Sequence, residues 1–282
     1  MRLKTNKRRS LTVCTWVVFT IVLLGAQFPE PAGPTLPFMI PQLQKAPSID
    51  GNLEEWKALA FSDGAWDLDR VKASAWYQPK RNRLTLHEGE DPNSLDLKAR
   101  YYMAWDRKYL YLGAEVKDNV NDVTEAKHAP KRWYYKDAIA WFLEAPLDTV
   151  AEKFGEGDHG FAFVIDTTRP DYGAWWRHGS TATNYLEEPL PVKGSDYAIV
   201  MQPTKDSPAG YVLEARIAWA ATVKKGSSAW KKPKVGDRYR LMLVHCDPDG
   251  GEYGGHLLIY GQGDDDSTWT EVKLGPAKSK HL

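Results

Sequence analysis

Apolar and polar residues alternate with a period of two along much of the chain, and this pattern predicts β-strands. The clearest case is ARYYMAWDRKYLYLGAEVKD, residues 99–118, where two β-rich runs meet at the Asp-Arg-Lys of residues 106–108. In the second run every other residue is Leu, Ala or Val, which is typical of a half-buried strand. We therefore expect a β-hairpin that turns at residues 106–108.

Further runs of this kind follow, and turn-forming stretches at 206–210 (DSPAG) and 247–255 (DPDGGEYGG, a hairpin turn) separate them. Short helices are predicted only at 52–59 and 218–224. The other predicted strands are DAIAWFLEAP, GFAFVID, DYAIVMQ, GYVLEARIAW, RYRLMLVHCD and HLLIYGQ. Many short strands with Gly- and Pro-containing turns predict an all-β fold, an antiparallel β-sandwich of the immunoglobulin-like or jelly-roll-like type.

The N-terminal 26 residues have the layout of an export signal. Five basic residues precede an apolar run of about 15 residues, which is short for a membrane span of about 20. An uncleaved anchor is the alternative, and only then would the protein be attached to a membrane. Six prolines within residues 27–48 indicate an extended linker, so the folded domain is expected at 49–282. We expect an exported protein, periplasmic or at the cell surface.

Charge and cysteine content argue against a nucleic-acid partner and against an intrachain disulfide. Removal of residues 1–26 takes five of the 37 Lys and Arg and none of the 37 Asp and Glu, which leaves a net charge of −5. This balance argues against a nucleic-acid partner. Cys246 then stands alone, so no intrachain disulfide is expected and we expect a monomer held by its core. The 12 Trp and 14 Tyr suit binding surfaces as well as cores.

Five segments, taken in order, resemble carbohydrate-binding module family 9. The resemblance covers residues 49 to about 275, nearly the whole predicted domain. Its strength lies in the order and spacing of the motifs, since each is short. The segments are IDGNLEEW (49–56), WDRKYLYLGAEVKDN (105–119), YYKDAIAWFLEAP (134–146), GYVLEARIAWA (210–220) and VGDRYRLMLVHCDPDG (235–250).

The resemblance implies a non-catalytic sandwich that holds a sugar end between two aromatic side chains. Such modules often accompany glycoside hydrolases that degrade plant polysaccharide. The first aromatic residue would be Tyr134, three residues before the motif's Asp137, with Trp133 as its substitute. The second would be Trp269 of STWTEVKLG. Sugars present C–H faces that pack on such rings, while their hydroxyls need polar partners.

Two positions depart from the family pattern. The strand glutamate that should hydrogen-bond the sugar is replaced by Ala140, and the arginine expected on the next strand falls near Ala162. Each unmet polar group in a sugar site costs about 1–3 kcal/mol. The chain therefore matches the fold of the family more fully than its polar sugar contacts.

A calcium site is expected at the acidic turn of residues 118–122. Asp118 and Asp122 are the candidate ligands, and Asp137 is expected to approach them in the fold. Family members often hold calcium at such turns, where oxygen ligands stiffen the loops. Asp and Asn are also favoured by turn geometry alone, which is the alternative explanation.

Two other functions are compatible with the fold. A haem b-binding electron-transfer domain would suit a pocket lined by alanines, with Met103, His128 and His245 as conceivable axial ligands. A ligand-free interaction module at the cell surface is the other. Catalysis has little support: GEGDHG (155–160) precedes a strand and opens no helix, and only Glu144 and Glu214 could be imagined as a glycosidase pair.

Overall fold

The computed structural model describes most of the predicted domain in segments. The export signal predicted at 1–26 and the candidate haem ligand His128 lie outside the described residues. No helix in the described segments is long and apolar enough to cross a membrane. The described residues are 38–55, 60–62, 97–123, 132–145, 147, 157–168, 173–181, 184–190, 195–222, 232–248, 256–259 and 266–277.

Thirteen strands and four short 3₁₀ turns form the regular structure of the described residues. Within the helices predicted at 52–59 and 218–224, 3₁₀ turns are described at Leu53–Glu55 and Trp219–Thr222, while residues 56–59 and 223–224 lie outside the described residues. The other two described turns are Trp133–Tyr135 and Asp266–Thr268. The strands are β1 (Phe38–Gln42), β2 (Ala60–Ser62), β3 (Leu97–Trp105), β4 (Tyr109–Asp118), β5 (Ala138–Glu144), β6 (Asp158–Val164), β7 (Ala174–Thr181), β8 (Asn184–Pro189), β9 (Ser195–Met201), β10 (Tyr211–Ala218), β11 (Arg238–Cys246), β12 (His256–Ile259) and β13 (Thr270–Ala277).

One continuous hydrogen-bonded path joins these strands in the order β8-β7-β6-β5-β11-β13-β1-β3-β4-β10-β9, with β12 beside β11 and β2 beside β3. The described pairs are antiparallel except those of β1, which runs parallel to β13 and to β3. The path folds over itself to give two layers. We call them the β5 layer (β5–β8 and β11) and the β4 layer (β3, β4, β9 and β10).

The two layers meet across one buried core. His245 of β11 lies between two tyrosines of the β4 layer: the Tyr101 hydroxyl is 2.7 Å from its Nδ1 and the Tyr211 hydroxyl is 3.1 Å from its Nε2. At the other side of the core, the rings of Phe163 in β6 and Tyr197 in β9 are 5.6 Å apart. The predicted all-β sandwich is therefore confirmed.

The predicted hairpin at 99–118 is also confirmed. Strands β3 and β4 pair with Trp105 opposite Leu110, and the turn lies at residues 106–108. Asp106 holds this turn, because its Oδ1 accepts the backbone N–H groups of Lys108 at 2.6 Å and Tyr109 at 2.7 Å. Its side chain thus replaces a backbone partner, as Asp commonly does in turns.

The linker predicted at 27–48 is wrong for residues 38–42, which form β1. Ile40 is buried, and its carbonyl accepts a hydrogen bond from the Trp105 indole nitrogen at 3.0 Å. Pro41 lacks the backbone N–H of a normal strand residue, and the register with β13 shifts between Ile40 and Gln42. Proline is tolerated at such an irregularity, so the proline content of this segment did not exclude a strand.

The chain segment after β1 covers the outer surface of the β4 layer. Leu53 and Ile49 belong to a cluster with outward-facing residues of β3, β4 and β10. Glu214 of β10 fixes the segment, since its Oε2 accepts the backbone N–H groups of Asp50 and Gly51, both at 2.9 Å. Gly51 has φ +81°, and a Cβ there would lie 2.3 Å from Val200 Cγ2, so only glycine fits.

Replacement of Glu214 is expected to destabilise the fold. Glu214→Ala removes a buried acceptor of two backbone N–H groups, and each charge-assisted bond contributes about 1.5–3 kcal/mol. We expect the free energy of unfolding in urea to fall by about 3–6 kcal/mol, the sum for the two bonds. The half-exposed Glu188 provides the control. An equal, small loss in Glu188→Ala and Glu214→Ala would contradict this role.

The buried His245 makes stability depend on pH. Burial lowers its pKa to about 3 in the folded state, whereas the unfolded chain has the ordinary value of 6.5. Below about pH 6.5 the unfolded state therefore binds the proton more readily, and stability falls as the pH drops towards 3. We expect this residue to add a slope of up to about 1.4 kcal/mol per pH unit.

Urea unfolding of the wild type and of His245→Gln between pH 7 and 4.5 measures that contribution. The slope of stability against pH should be shallower in the variant, whatever its absolute stability. Identical slopes would mean that the protonation of His245 is not linked to unfolding.

Candidate functional site

The outward surface of the β5 layer carries a second apolar cluster, which we call the outer aromatic face. Ile139, Trp141 and Leu143 of β5 point into the core, and the residues between them point outward. The 3₁₀ turn before β5 and the residue before β13 lie over this surface. The outer aromatic face consists of Val123, Trp133, Tyr134, Ala138, Ala140, Phe142, Ala162, Val164, Trp175, Met242, Val244, Cys246 and Trp269.

Two alanines form the floor of this face. Ala140 of β5 lies directly opposite Ala162 of β6, and both are buried. The family resemblance implies a glutamate at position 140 and an arginine near position 162. Because both side chains are a single methyl group, bulky rings can approach the sheet closely at this point. The floor therefore supplies apolar contact and space, but no hydrogen-bonding group.

Trp133 and Trp269, far apart in sequence, both pack against Phe142. The ring centroids of Trp133 and Phe142 are 6.1 Å apart, and those of Trp269 and Phe142 are 5.7 Å apart. Their tilted and edge-on orientations are the favoured geometries for aromatic pairs. The two tryptophans expose only 3% and 4% of their surface. The structure thus brings together two of the residues that the sequence predicts as walls of a sugar site.

The three consecutive aromatics of residues 133–135 extend outward from this face. Tyr134 packs edge-on against Trp133 at 5.5 Å, and Tyr135 lies 5.0 Å from Tyr134. Trp133 is buried, whereas both tyrosines are half-buried. Trp133 is therefore the ring that contacts the face, and Tyr134 marks the edge that solvent reaches.

A charged pair that sequence reasoning missed adjoins these rings. The guanidinium carbon of Arg177 in β7 lies 5.5 Å from the centroid of the Trp133 ring and 5.8 Å from that of Phe142. Glu187 of β8 faces Arg177 across the strands. Its Oε1 accepts hydrogen bonds from Arg177 Nε at 3.0 Å and Nη2 at 2.7 Å, and from Trp133 Nε1 at 2.9 Å. Strand alternation in WWRHGS is the one local signal that would place Arg177 outward, and nothing in the neighbouring sequence identifies Glu187 as its partner.

Two groups of three buried acids lie next to the aromatic walls in sequence. In each group, carboxylate oxygens of all three residues lie within 4.8 Å of one another. Asp137 of the first group follows the turn that carries Trp133, and Asp266 of the second precedes Trp269. The groups are Asp118, Asp137 and Asp247, and Glu144, Asp158 and Asp266.

The first group contains Asp118 of the turn at which the sequence predicts calcium, and Asp137, which is expected to approach that turn. Asp118 belongs to it, and Asp247 from the turn after β11 takes the place expected for the carboxylate of Asp122. Asp122 instead contacts Asp137 through its backbone: its N–H donates to Asp137 Oδ2, and its carbonyl accepts the Asp137 N–H at 3.1 Å. Through these two hydrogen bonds, the buried Asp137 connects the loop of Asp122 to the start of β5. Three clustered carboxylates offer the hard oxygen ligands that Ca²⁺ prefers, so the donor set fits calcium.

The first acidic group also affects neighbouring buried groups. Burial raises the pKa of the Cys246 thiol well above its usual value, and Asp137 and Asp247 raise it further. The pKa of Tyr211 is raised by burial and then by Asp118 and Asp137. Cys246, which is free and buried, therefore remains a neutral thiol. Three carboxylates this close together repel one another when ionised, and a bound cation would relieve that repulsion.

The residues considered for haem ligation and catalysis are placed elsewhere. Met103 lies in the core between the layers, and both ring nitrogens of His245 are bonded to tyrosine hydroxyls. Glu144 pairs with Arg240 on the β5 layer, with 3.0 Å between Oε2 and Nη1. Glu214 holds the backbone of the chain segment after β1 on the β4 layer. The two glutamates therefore lie on different layers and do not form a catalytic pair.

Solved structures with the same fold were found at low sequence identity. A carbohydrate binding module family 9 from Caldicellulosiruptor kristjanssonii in complex with glucose matches with a TM-score of 0.54 and 17% identity, over 87% of this chain and 98% of that one. The complex of such a module from the same organism with cellotriose matches with a TM-score of 0.54 and 16% identity, over 87% and 96%. No curated protein matches the chain in sequence at a significant level.

The described strands form a β-sandwich with an aromatic cluster on the outer surface of one layer. The family model described as carbohydrate family 9 binding domain-like matches residues 68–274. The chain belongs to this family.

Proposed function

We propose that this protein binds the ends of polysaccharides or oligosaccharides at the outer aromatic face and catalyses no reaction of its own. The observation that carries the proposal is the meeting of Trp133 and Trp269 on Phe142, above the Ala140–Ala162 floor. Rings gathered on one face offer the apolar surface on which sugar C–H groups pack. The glucose and cellotriose complexes of the structurally similar modules support the same ligand class.

Access to this face is proposed to begin at Tyr134. Trp133 and Trp269 are nearly covered, whereas Tyr134 is half-buried and touches Trp133 at the edge of the cluster. A sugar end that stacks on Tyr134 would reach Trp133 next. Complete contact with both tryptophans would then require a local shift of the covering groups, as commonly occurs when loops close on a ligand.

The biological setting is proposed from the N-terminus and the family. A basic stretch followed by an apolar run supports export to the periplasm or the cell surface. In that setting a monomeric sugar-binding module would support the breakdown of polysaccharide by glycoside hydrolases, by keeping them at their substrate.

Calcium is proposed to be held by Asp118, Asp137 and Asp247. Asp137 lies two residues after the 3₁₀ turn Trp133–Tyr135, so an ion at this group would fix the chain that carries the first aromatic wall. The ion's role would be structural, because carboxylates from three separate segments would share one positive centre.

Sugar binding is expected to change the intrinsic fluorescence of the protein and to depend on the ring at position 269. Titration with cello- and xylo-oligosaccharides should give a saturable signal. Trp269→Ala should weaken binding by about tenfold or more, since one stacked ring contributes on the order of 1.5 kcal/mol beyond its buried area. Trp269→Phe keeps a ring and should retain most of the affinity. An unchanged affinity in Trp269→Ala, or no binding at millimolar sugar, would contradict the proposal.

Calcium is expected to stabilise the wild-type protein against heat. At a hundredfold excess over the dissociation constant, binding to the folded state alone adds about 2.7 kcal/mol. Asp247→Asn should reduce the rise in Tm on adding CaCl₂ after chelation with EDTA. Asp122→Asn is the matched control, because the carboxylate of Asp122 lies outside the group. Equal calcium responses in both variants would show that this group does not hold the ion.

A further inference from the structure

One row of outward side chains crosses five strands of the outer aromatic face. Its members stand directly opposite one another in the strand register: Met242, Phe142, Gly160, Arg177 and Glu187. The row passes from the apolar part of the face into a charged pair. No other row of the described face contains both an aromatic side chain and an ion pair.

Gly160 leaves space for the Arg177 guanidinium to lie against the rings of Phe142 and Trp133. A Cβ at this position would lie 3.0 Å from Phe142 Cε1 and 3.3 Å from Arg177 Cβ, which is closer than such contacts normally are. Without that atom, the Arg177 guanidinium lies over the rings of both Phe142 and Trp133. A guanidinium stacked on aromatic faces gains cation–π attraction and is held in a fixed plane.

A single oxygen of Glu187 organises this end of the site. Its Oε1 accepts two N–H groups of Arg177 and the indole N–H of Trp133. The side chains of Arg177 and Glu187 are only 8% and 11% exposed. The indole and the guanidinium are therefore fixed relative to each other before any ligand arrives, which lowers the entropy cost of binding.

The same pairing determines the charge that a ligand would meet. Arg177 and Glu187 form an ion pair at 2.7 Å. The pair is polar but has no net charge. A ligand carboxylate approaching the guanidinium would also approach the Glu187 carboxylate, at a place with little water to screen the repulsion. Hydroxyl groups meet no such repulsion.

We propose that Glu187 is a positioning and specificity-determining residue of the outer aromatic face: it orients Trp133 and neutralises Arg177, so that the site takes uncharged sugars and rejects uronates. The part that concerns sugars rests on the proposed function. The orientation of Trp133 does not, and it is tested without any sugar.

The selectivity test uses cellotriose and the same trisaccharide with a C6 carboxylate on its terminal ring, titrated calorimetrically. We expect the wild type to bind the neutral sugar at least about tenfold more tightly. Glu187→Gln keeps an oxygen acceptor but removes the negative charge, so it should lower this ratio by about tenfold. Glu188→Gln, at the half-exposed neighbour that contacts His178, should leave the ratio unchanged.

The orientation test uses the indole N–H resonances of the ¹⁵N-labelled protein without sugar. The Trp133 resonance, assigned through Trp133→Phe, should shift in Glu187→Ala, which has no acceptor, and shift much less in Glu187→Gln. Rescue by glutamine separates positioning through a hydrogen bond from general loss of structure.

Each result bears on one proposal or the other. Equal binding of both trisaccharides by the wild type, or an unchanged ratio in Glu187→Gln, overturns the selectivity while leaving the proposed sugar binding intact. A wild type that binds neither sugar overturns the proposed function and the selectivity with it. A Trp133 resonance that does not move in Glu187→Ala overturns the positioning role independently of both.

Discussion

The packing of Trp133 and Trp269 on one phenylalanine ring is the contact on which the candidate site depends. Phe142 lies on β5, while its two partners come from a turn before that strand and from the segment before β13. Ala140 and Ala162 lie opposite each other in the same apolar cluster. Their small side chains leave space at the sheet surface that larger polar residues would fill.

The two outer surfaces of the sandwich are covered in different ways. The covering of the β4 layer stabilises the fold, whereas that of the β5 layer forms the candidate site. On the β4 layer, the segment after β1 is held by Glu214 and packs against an apolar cluster. On the β5 layer, aromatic side chains from separate segments cover the alanine floor, with a charged pair at one end. The first arrangement closes a surface, whereas the second gathers groups suited to a ligand.

Local pattern predicted much of this molecule, and pairing between distant strands accounts for what it missed. Alternation predicted the β3–β4 hairpin. The family resemblance named Tyr134, with Trp133 as its substitute, and Trp269 as the two walls of a sugar site, and both tryptophans lie on Phe142. Strand β1 was not predicted because the prolines of residues 27–48 indicated a linker. The burial of Ile40 and the register shift that accommodates Pro41 are visible only in the folded structure. The Arg177–Glu187 pair and the place of Asp247 among the acids depend on the register between strands, which one sequence does not display.

A crystal structure of the protein with cellotriose is the most direct test of the central claim. We predict a terminal pyranose ring on the β5 layer, in contact with Trp133 or Tyr134 and with Trp269, and with its hydroxyls near Arg177 and Glu187. Sugar bound on the β4 layer, or ordered crystals at high cellotriose concentration with no sugar on the outer aromatic face, would contradict the account.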